Sequence, residues 1–463
     1  TAMVSIGFVY FCSVIKNNYE LQNDGTMKNI LSKRTFIVLP LFLFSLHPLW
    51  GQKSNFKNDI CIPGKLYMLS DIRNDVFVEA LIKRWRPYND FVRFSGDCVY
   101  SRKLNRVASV DTPVDGSNMK IELVNSDEFE TIKEKAISIC VGKKGIGTQE
   151  VTVQILGDSF VNGAFFRDAL LSKNYIPGIK LVGLRNIKNE EGQYDEGRGG
   201  WTVKKYFEIP KGEMTSYHGY MQPVGEYRYW GSCEFWKNCY KVINGELTDT
   251  EIVYNCGRYD QCITKFDKET GYLAAPKKND LMYDNARGSY MVYTGKKWKN
   301  VEVDERKWAF NYRKYLDMWN LDAPKFFAQM LGLNDYRDSL TADYREWNKK
   351  IAEMKESYYK AVPDGKFIIL IPCTTCGSLN NIRGDFTLRQ NASMWQLRKN
   401  IIDTFDGRES EGYYVVDIGI TIDNEKGYNR NRDGIQTGNP HPYPNYPTMG
   451  IPLAAFIQYY REL

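Results

Sequence analysis

The sequence predicts an α/β protein: a mostly parallel, doubly wound sheet in three α/β/α layers, preceded by a small β-sandwich. Three observations carry this. Over residues 62–144, short β-forming segments such as DVFVEALI, FVRFSG and MKIELV recur between Asn, Asp, Gly and Pro turns, the rhythm of a sandwich. At 151–156 the pattern changes to a continuous apolar run, VTVQIL, followed by the turn Gly157-Asp158-Ser159 and helical periodicity over 160–172, the opening of an α/β unit. From 324 onward, apolar runs again alternate with amphipathic stretches, as parallel strands and crossover helices do.

Taken in chain order, Lys28, Lys33 and Arg34 precede the apolar run 35–50, which ends at Gly51-Gln52. A basic start, a short apolar stretch and a polar exit describe a secretory signal peptide. Pro40 and Pro48 interrupt the run, and it is shorter than the roughly 20 residues of a spanning helix. Met27 reads as the initiator, so residues 1–26 are taken as an over-extended N-terminus and 27–51 as the signal peptide. An exported protein, periplasmic or extracellular, with no stable membrane insertion is expected. The sandwich is placed at 62–148 and the α/β domain at 150–463.

Within the second domain, IKLVGL (179–184) is the next strand, and the glycine-rich loop 196–202 follows it. Residues 206–300 then interrupt the rhythm: they are rich in Tyr, Gly and Cys, with β-like pieces EIVYNC, QCITKF and YMVYTG, and read as a β-rich insertion without a helix. Strands are expected at 324–331, 366–371 and 413–418, and helices at 341–360, 394–404 and 448–462, with Ser339 or Thr341 capping the first of these helices.

Composition excludes several functions. The net charge is +6 over 463 residues, with 62 basic residues interspersed among 56 acidic ones, so neither a nucleic-acid footprint nor a polybasic membrane surface is indicated. Cys233, Cys239, Cys256 and Cys262 are separated by five, sixteen and five residues, too widely for zinc-ribbon pairs, and two local disulfides are the favoured reading. Cys373-Thr-Thr-Cys376 is read as structural or as a strained local disulfide. No metal or cofactor is called for. Three histidines, His47, His218 and His441, limit any imidazole chemistry. His47 falls in the signal peptide and His218 in the tyrosine-rich insertion. His441, between Pro440 and Pro442 just before the last helix, is the candidate base for a serine nucleophile, which needs one to remove its proton. Ser159, at the carboxyl end of the first parallel strand, stands where such sheets place ligands.

Gly157-Asp158-Ser159 after the first strand, Gly197-x-x-Gly200-x-Thr202 after the second, Gly332-x-Asn334-Asp335 after the third, and a late histidine before the closing helix together resemble the four blocks of the SGNH hydrolases, the GDSL esterase superfamily. The resemblance spans about residues 151–463. The added N-terminal sandwich is similar to the layout of some exported carbohydrate esterases. The resemblance implies Ser159 as nucleophile and His441 as general base, with an oxyanion hole made by the backbone N–H of Ser159, the backbone N–H of Gly200 and the side-chain amide of Asn334. It also implies an acid three residues before the histidine, but Gly438 stands there, and the nearest upstream carboxylate is Asp433. Asp433, another acid or a backbone carbonyl is left to orient the imidazole. The implied function is a secreted serine esterase removing acyl groups, acetyl foremost, from polysaccharide or another small ester. The alternatives are a non-catalytic carbohydrate-binding protein on a degenerate hydrolase fold and a lipid acylhydrolase.

Overall fold

A computed structural model describes residues 59–461, apart from 84–89, 98, 103–105, 126–128, 164, 173, 187–192, 213–215, 248–258, 374–387, 425, 430–431, 433–439 and 444–445. The expected signal peptide and the residues before it lie outside the described residues. Residues 58–463 form one compact unit.

Seven strands open it: β1 (Lys65–Leu69), β2 (Asn74–Phe77), β3 (Asp90–Gly96), β4 (Val99–Arg102), β5 (Val107–Val110), β6 (Asn118–Asn125) and β7 (Thr131–Gly142). They form a four-stranded sheet in the order β1-β7-β6-β3 and a three-stranded sheet in the order β2-β5-β4. Both sheets feed one apolar cluster that includes Met68, Val76, Val110, Ile121 and Ile139. Along β6, Met119, Ile121 and Leu123 are buried while the residues between them are not, the two-residue alternation of a strand with one covered face.

The parallel sheet that positions the site follows. Its strands are β8 (Val151–Gly157), β9 (Ile179–Leu181) and β10 (Glu196–Gly197), and, after the interrupting segment, β17 (Phe326–Met330), β18 (Lys366–Ile371) and β19 (Tyr413–Asp417). They run in the order β10-β8-β17-β18-β19, with β9 beside the start of β8 and β10 beside its end. Every pairing is parallel. The continuous apolar runs that marked β17, β18 and β19 are buried along almost their whole length, as expected of parallel strands covered on both faces.

Four local expectations are corrected. The helix foreseen over 160–172 is two pieces, α1 (Ser159–Asn162) and α2 (Phe165–Ser172). The interrupting segment does contain a helix, α3 (Cys233–Ile243), capped by the Ser232 side chain, which accepts from the Phe235 N–H. Cys, Phe and Trp, which fill its buried face at Cys233, Phe235, Trp236 and Cys239, are mediocre helix formers, so propensity hides it. QCITKF begins as the helical turn α4 (Asp260–Ile263) rather than a strand; EIVYNC lies outside the described residues. The helix foreseen from 341 starts at Arg345 as α7 (Arg345–Ala361), with Tyr344 rather than Ser339 or Thr341 at the N-cap and no side-chain cap bond there; the Asp343 carboxylate accepts from the Arg345 N–H at 3.0 Å.

The segment's strands are β11 (Met221–Pro223), paired with β16 (Trp308–Phe310), and a four-stranded sheet of β12 (Arg228–Ser232), β13 (Asp280–Asp284), β14 (Ser289–Tyr293) and β15 (Trp298–Val301). Helix α5 (Tyr312–Trp319) returns the chain to the central sheet. The turn after β17 winds into α6 (Leu333–Tyr336), and α8 (Leu388–Phe405) and α9 (Tyr446–Arg461) complete the fold. Cys233 does not form the expected disulfide: its thiol, pushed up to about 11 by burial, donates to the Tyr283 carbonyl at 3.0 Å. Cys256 and Cys376 lie outside the described residues. No helix among the described residues is long and apolar enough to cross a membrane.

Candidate active site

Strand β8 ends in Gly157, where a side chain has no room: a Cβ would lie 2.6 Å from Val161 Cγ2 and 2.8 Å from the Met330 carbonyl. This lets α1 start directly on the sheet. Asp158 caps that helix, its carboxylate accepting from the Phe160 N–H at 3.1 Å and its carbonyl from Asn162 N at 2.9 Å. Ser159 is therefore presented on the first position of α1, half-buried at the carboxyl edge of the sheet.

His441 reaches it from the other end of the chain, with Nε2 2.8 Å from Ser159 Oγ. Aromatic rings flank the imidazole: Phe160 at 4.8 Å, Tyr443 at 5.7 Å and Tyr446 at 6.4 Å between centroids. Burial, and then the Arg337 guanidinium, lower the His441 pKa to about 4, since both disfavour the imidazolium. The ring is thus neutral near pH 7, and in the tautomer protonated on Nδ1 its Nε2 can accept the Ser159 proton. Asp433 and Gly438 lie outside the described residues.

The glycine loop arrives beside this pair. Gly200 is exposed with φ +73°, and a Cβ on it would meet nothing within 4 Å, so its backbone borders open space in a conformation that favours glycine. Among the described residues no hydrogen bond engages the backbone N–H of Ser159 or of Gly200. Asn334, on α6, donates its side-chain amide to the Trp201 carbonyl at 3.1 Å and approaches Asp158 Oδ2 at 3.4 Å, the second contact being long for a hydrogen bond. The structure thus places Ser159 against His441, and Asn334 against the Trp201 carbonyl that follows Gly200.

Sequence reasoning missed the groups that hold and tune this arrangement. Asp335 accepts the Val203 N–H with both oxygens, at 3.0 and 3.2 Å, pinning the far end of the glycine loop. Burial raises Asp335 to about 6 and Asp158 to about 7, with Asp335 adding to the rise at Asp158. Both acids stood inside the quoted motifs, so their positions were visible and their roles were not; Arg337 had no sequence signal. His218 is a structural histidine. It is buried, its Nδ1 accepts from the Tyr220 N–H at 3.2 Å, its Nε2 lies 3.0 Å from the Glu208 carbonyl, and burial lowers it to about 3. Among the described residues no group of three or more His, Cys, Asp or Glu side chains could hold a metal ion.

No protein-family model matches the chain, and no curated protein sequence matches it. Solved structures similar to it include a carbohydrate esterase family 3 from Talaromyces cellulolyticus, at 13% identity and TM-score 0.29, covering 68% of this chain and 99% of that one. An acetyl esterase variant with an acetate ion aligns at 13% identity and TM-score 0.30, covering 67% of this chain and 99% of that one. A peptidoglycan O-acetylesterase aligns at 10% identity and TM-score 0.31, covering 68% and 93%.

Proposed function

We propose that the protein is a serine esterase of SGNH type, exported, that removes acyl groups, acetyl foremost, from polysaccharide or another small ester. The observation that supports this most directly is the 2.8 Å separation of His441 Nε2 and Ser159 Oγ, a nucleophile and base within hydrogen-bond reach. His441 takes the hydroxyl proton as Ser159 Oγ bonds to the acyl carbon, and the carbonyl electrons move onto oxygen. The N–H groups of Ser159 and Gly200 and the Asn334 amide receive that oxyanion. Asn334 offers it the N–H that otherwise makes only the long 3.4 Å contact with Asp158 Oδ2. The ester C–O bond then breaks, the imidazolium gives its proton to the leaving alcohol, and water repeats the cycle on the acyl-enzyme.

The test is turnover of p-nitrophenyl acetate by the protein and by Ser159→Ala and His441→Ala. Loss of turnover in both variants supports the reading, and undiminished turnover in either refutes it. Glycan binding without turnover, and without labelling by a serine-directed fluorophosphonate, would favour the non-catalytic binding protein.

A further inference from the structure

We propose that the segment interrupting the α/β rhythm positions both halves of the acylation machinery through a single oxygen, Ser216 Oγ, acting on Arg198 and Arg185. The proposal rests on the serine-esterase reading above.

Ser216 is buried, and its Oγ accepts from Arg185 Nη1 at 3.2 Å and from Arg198 Nε at 3.3 Å. It also lies 2.5 Å from the Tyr259 hydroxyl, which donates onward to the Tyr217 carbonyl at 3.0 Å. Two accepted bonds and one donated bond use the whole capacity of a hydroxyl.

From this oxygen two threads run. Arg198 sits in the glycine loop, two residues before Gly200. Its side chain is 1% exposed, bonded to Glu196 Oε2 at 2.6 Å and to the Tyr217 carbonyl at 2.7 Å, with the guanidinium 5.2 Å over the Trp201 ring. Its own N–H bonds the Gly157 carbonyl at 2.8 Å, and its carbonyl accepts from Trp201 N at 3.2 Å, so the clamp brackets Gly199 and Gly200. Arg185 runs the other way: its Nη2 donates at 2.9 Å to Asn162 Oδ1, on the last residue of α1, the helix that Ser159 begins. One thread therefore ends on the oxyanion loop and the other on the nucleophile's helix. The relative placement of those two elements sets how far the developing oxyanion stands from its donors, and displacements on the order of 1 Å can cost about a hundredfold in rate. Losing the shared acceptor costs each buried guanidinium one hydrogen bond, and both are expected to shift in response.

The experiment uses the full-length protein with Ser216→Ala, Arg198→Lys and the double variant. It measures kcat and KM for p-nitrophenyl acetate, the second-order rate of Ser159 labelling by a fluorophosphonate, and the unfolding temperature. The expected result is a kcat lowered about tenfold in each folded single variant, KM within about twofold, a parallel fall in labelling rate, and a double variant whose loss is smaller than the product of the two. Lysine gives no rescue, because one ammonium cannot hold the fork of contacts. If Ser216→Ala does not fold, Tyr259→Phe, which removes the group that fixes the Ser216 hydroxyl, is expected to lower kcat in the same way. Folded variants with wild-type kcat, a loss confined to KM, or independent multiplicative losses overturn the proposal. A wild-type protein inert to both ester and fluorophosphonate instead refutes the esterase reading itself.

Discussion

Asn334 donates its side-chain amide to the Trp201 carbonyl across 3.1 Å, tying the turn after β17 to the glycine loop after β10. The same amide nitrogen is the candidate oxyanion donor, so its position is held by the loop it works beside. Such a donor speeds the reaction to the extent that its bond strengthens as charge develops on the acyl oxygen. Asn334→Ala is expected to lower kcat by about 10²–10³-fold and to leave KM for p-nitrophenyl acetate nearly unchanged. A loss carried by KM alone would make Asn334 a substrate-binding residue.

The pH profile tests the histidine. Only the neutral imidazole can take the Ser159 proton, so kcat/KM falls on the acid side as His441 protonates in the free enzyme. With its pKa lowered to about 4 from 6.5, the limb that belongs to His441 is expected near pH 4. Arg337→Gln removes the second cause of the lowering and moves the limb upward, still short of 6.5 because burial is the larger cause. A wild-type limb at 6.5 would show that the imidazole is more hydrated than the structure places it.

The sheet was legible because parallel, doubly covered strands announce themselves as apolar runs: KFIILI was foreseen over 366–371 and is Lys366–Ile371. The positions of Ser159, His441, Gly200 and Asn334 could be marked in the sequence because each stands after a strand or before the closing helix, in a fixed order. What stayed hidden is long-range. The partners of Arg198 include Ser216 and Tyr217 from a segment whose helix α3 has an aromatic and cysteine face, and neither periodicity nor motif spacing encodes which distant side chain will meet a buried guanidinium. The N-cap of α7 was misplaced because the helix starts at Arg345, after Tyr344, a residue with no capping side chain, while the capping residue types lie further upstream in 339–343.

Stability should also carry the signature of the buried acid next to the nucleophile. Asp158 is raised from 3.8 to about 7 by burial first, with Asp335 also raising it. A carboxyl whose folded pKa lies above its unfolded value binds its proton more tightly when native. Its contribution is fully present below about 3.8 and is lost as pH rises through about 7. Asp158→Asn keeps an acceptor for the Phe160 N–H and cannot ionise. Denaturant unfolding at pH 5 and pH 8 is expected to show a smaller loss of stability with rising pH in the variant than in the wild type. Equal slopes would show that the Asp158 carboxyl is already ionised in the native protein at pH 5.

Two glycines of one loop should respond to the same substitution in different degree. At Gly197 a Cβ would fall 2.1 Å from Asn162 N and 2.5 Å from the Val161 carbonyl carbon, backbone atoms of the helix that begins at Ser159. Nothing there can yield by rotating a side chain, so Gly197→Ala must push α1 off the end of β8. At Gly200 a Cβ would meet nothing within 4 Å, and the only obstacle is φ +73°. Gly200→Ala is expected to cost roughly 1–2 kcal/mol of stability through that conformation and to lower turnover less than Gly197→Ala does, because the added methyl displaces no neighbour of Ser159. Gly197→Ala is expected to cost at least about 1–3 kcal/mol and, by moving the nucleophile relative to His441 and the oxyanion donors, to lower kcat by more than about tenfold. Thermal unfolding and p-nitrophenyl acetate turnover, measured side by side on the two variants, check this. If Gly197→Ala retains as much activity as Gly200→Ala, α1 is free to adjust, and the close seating of Val161 and Asn162 against β10 does not govern the reaction.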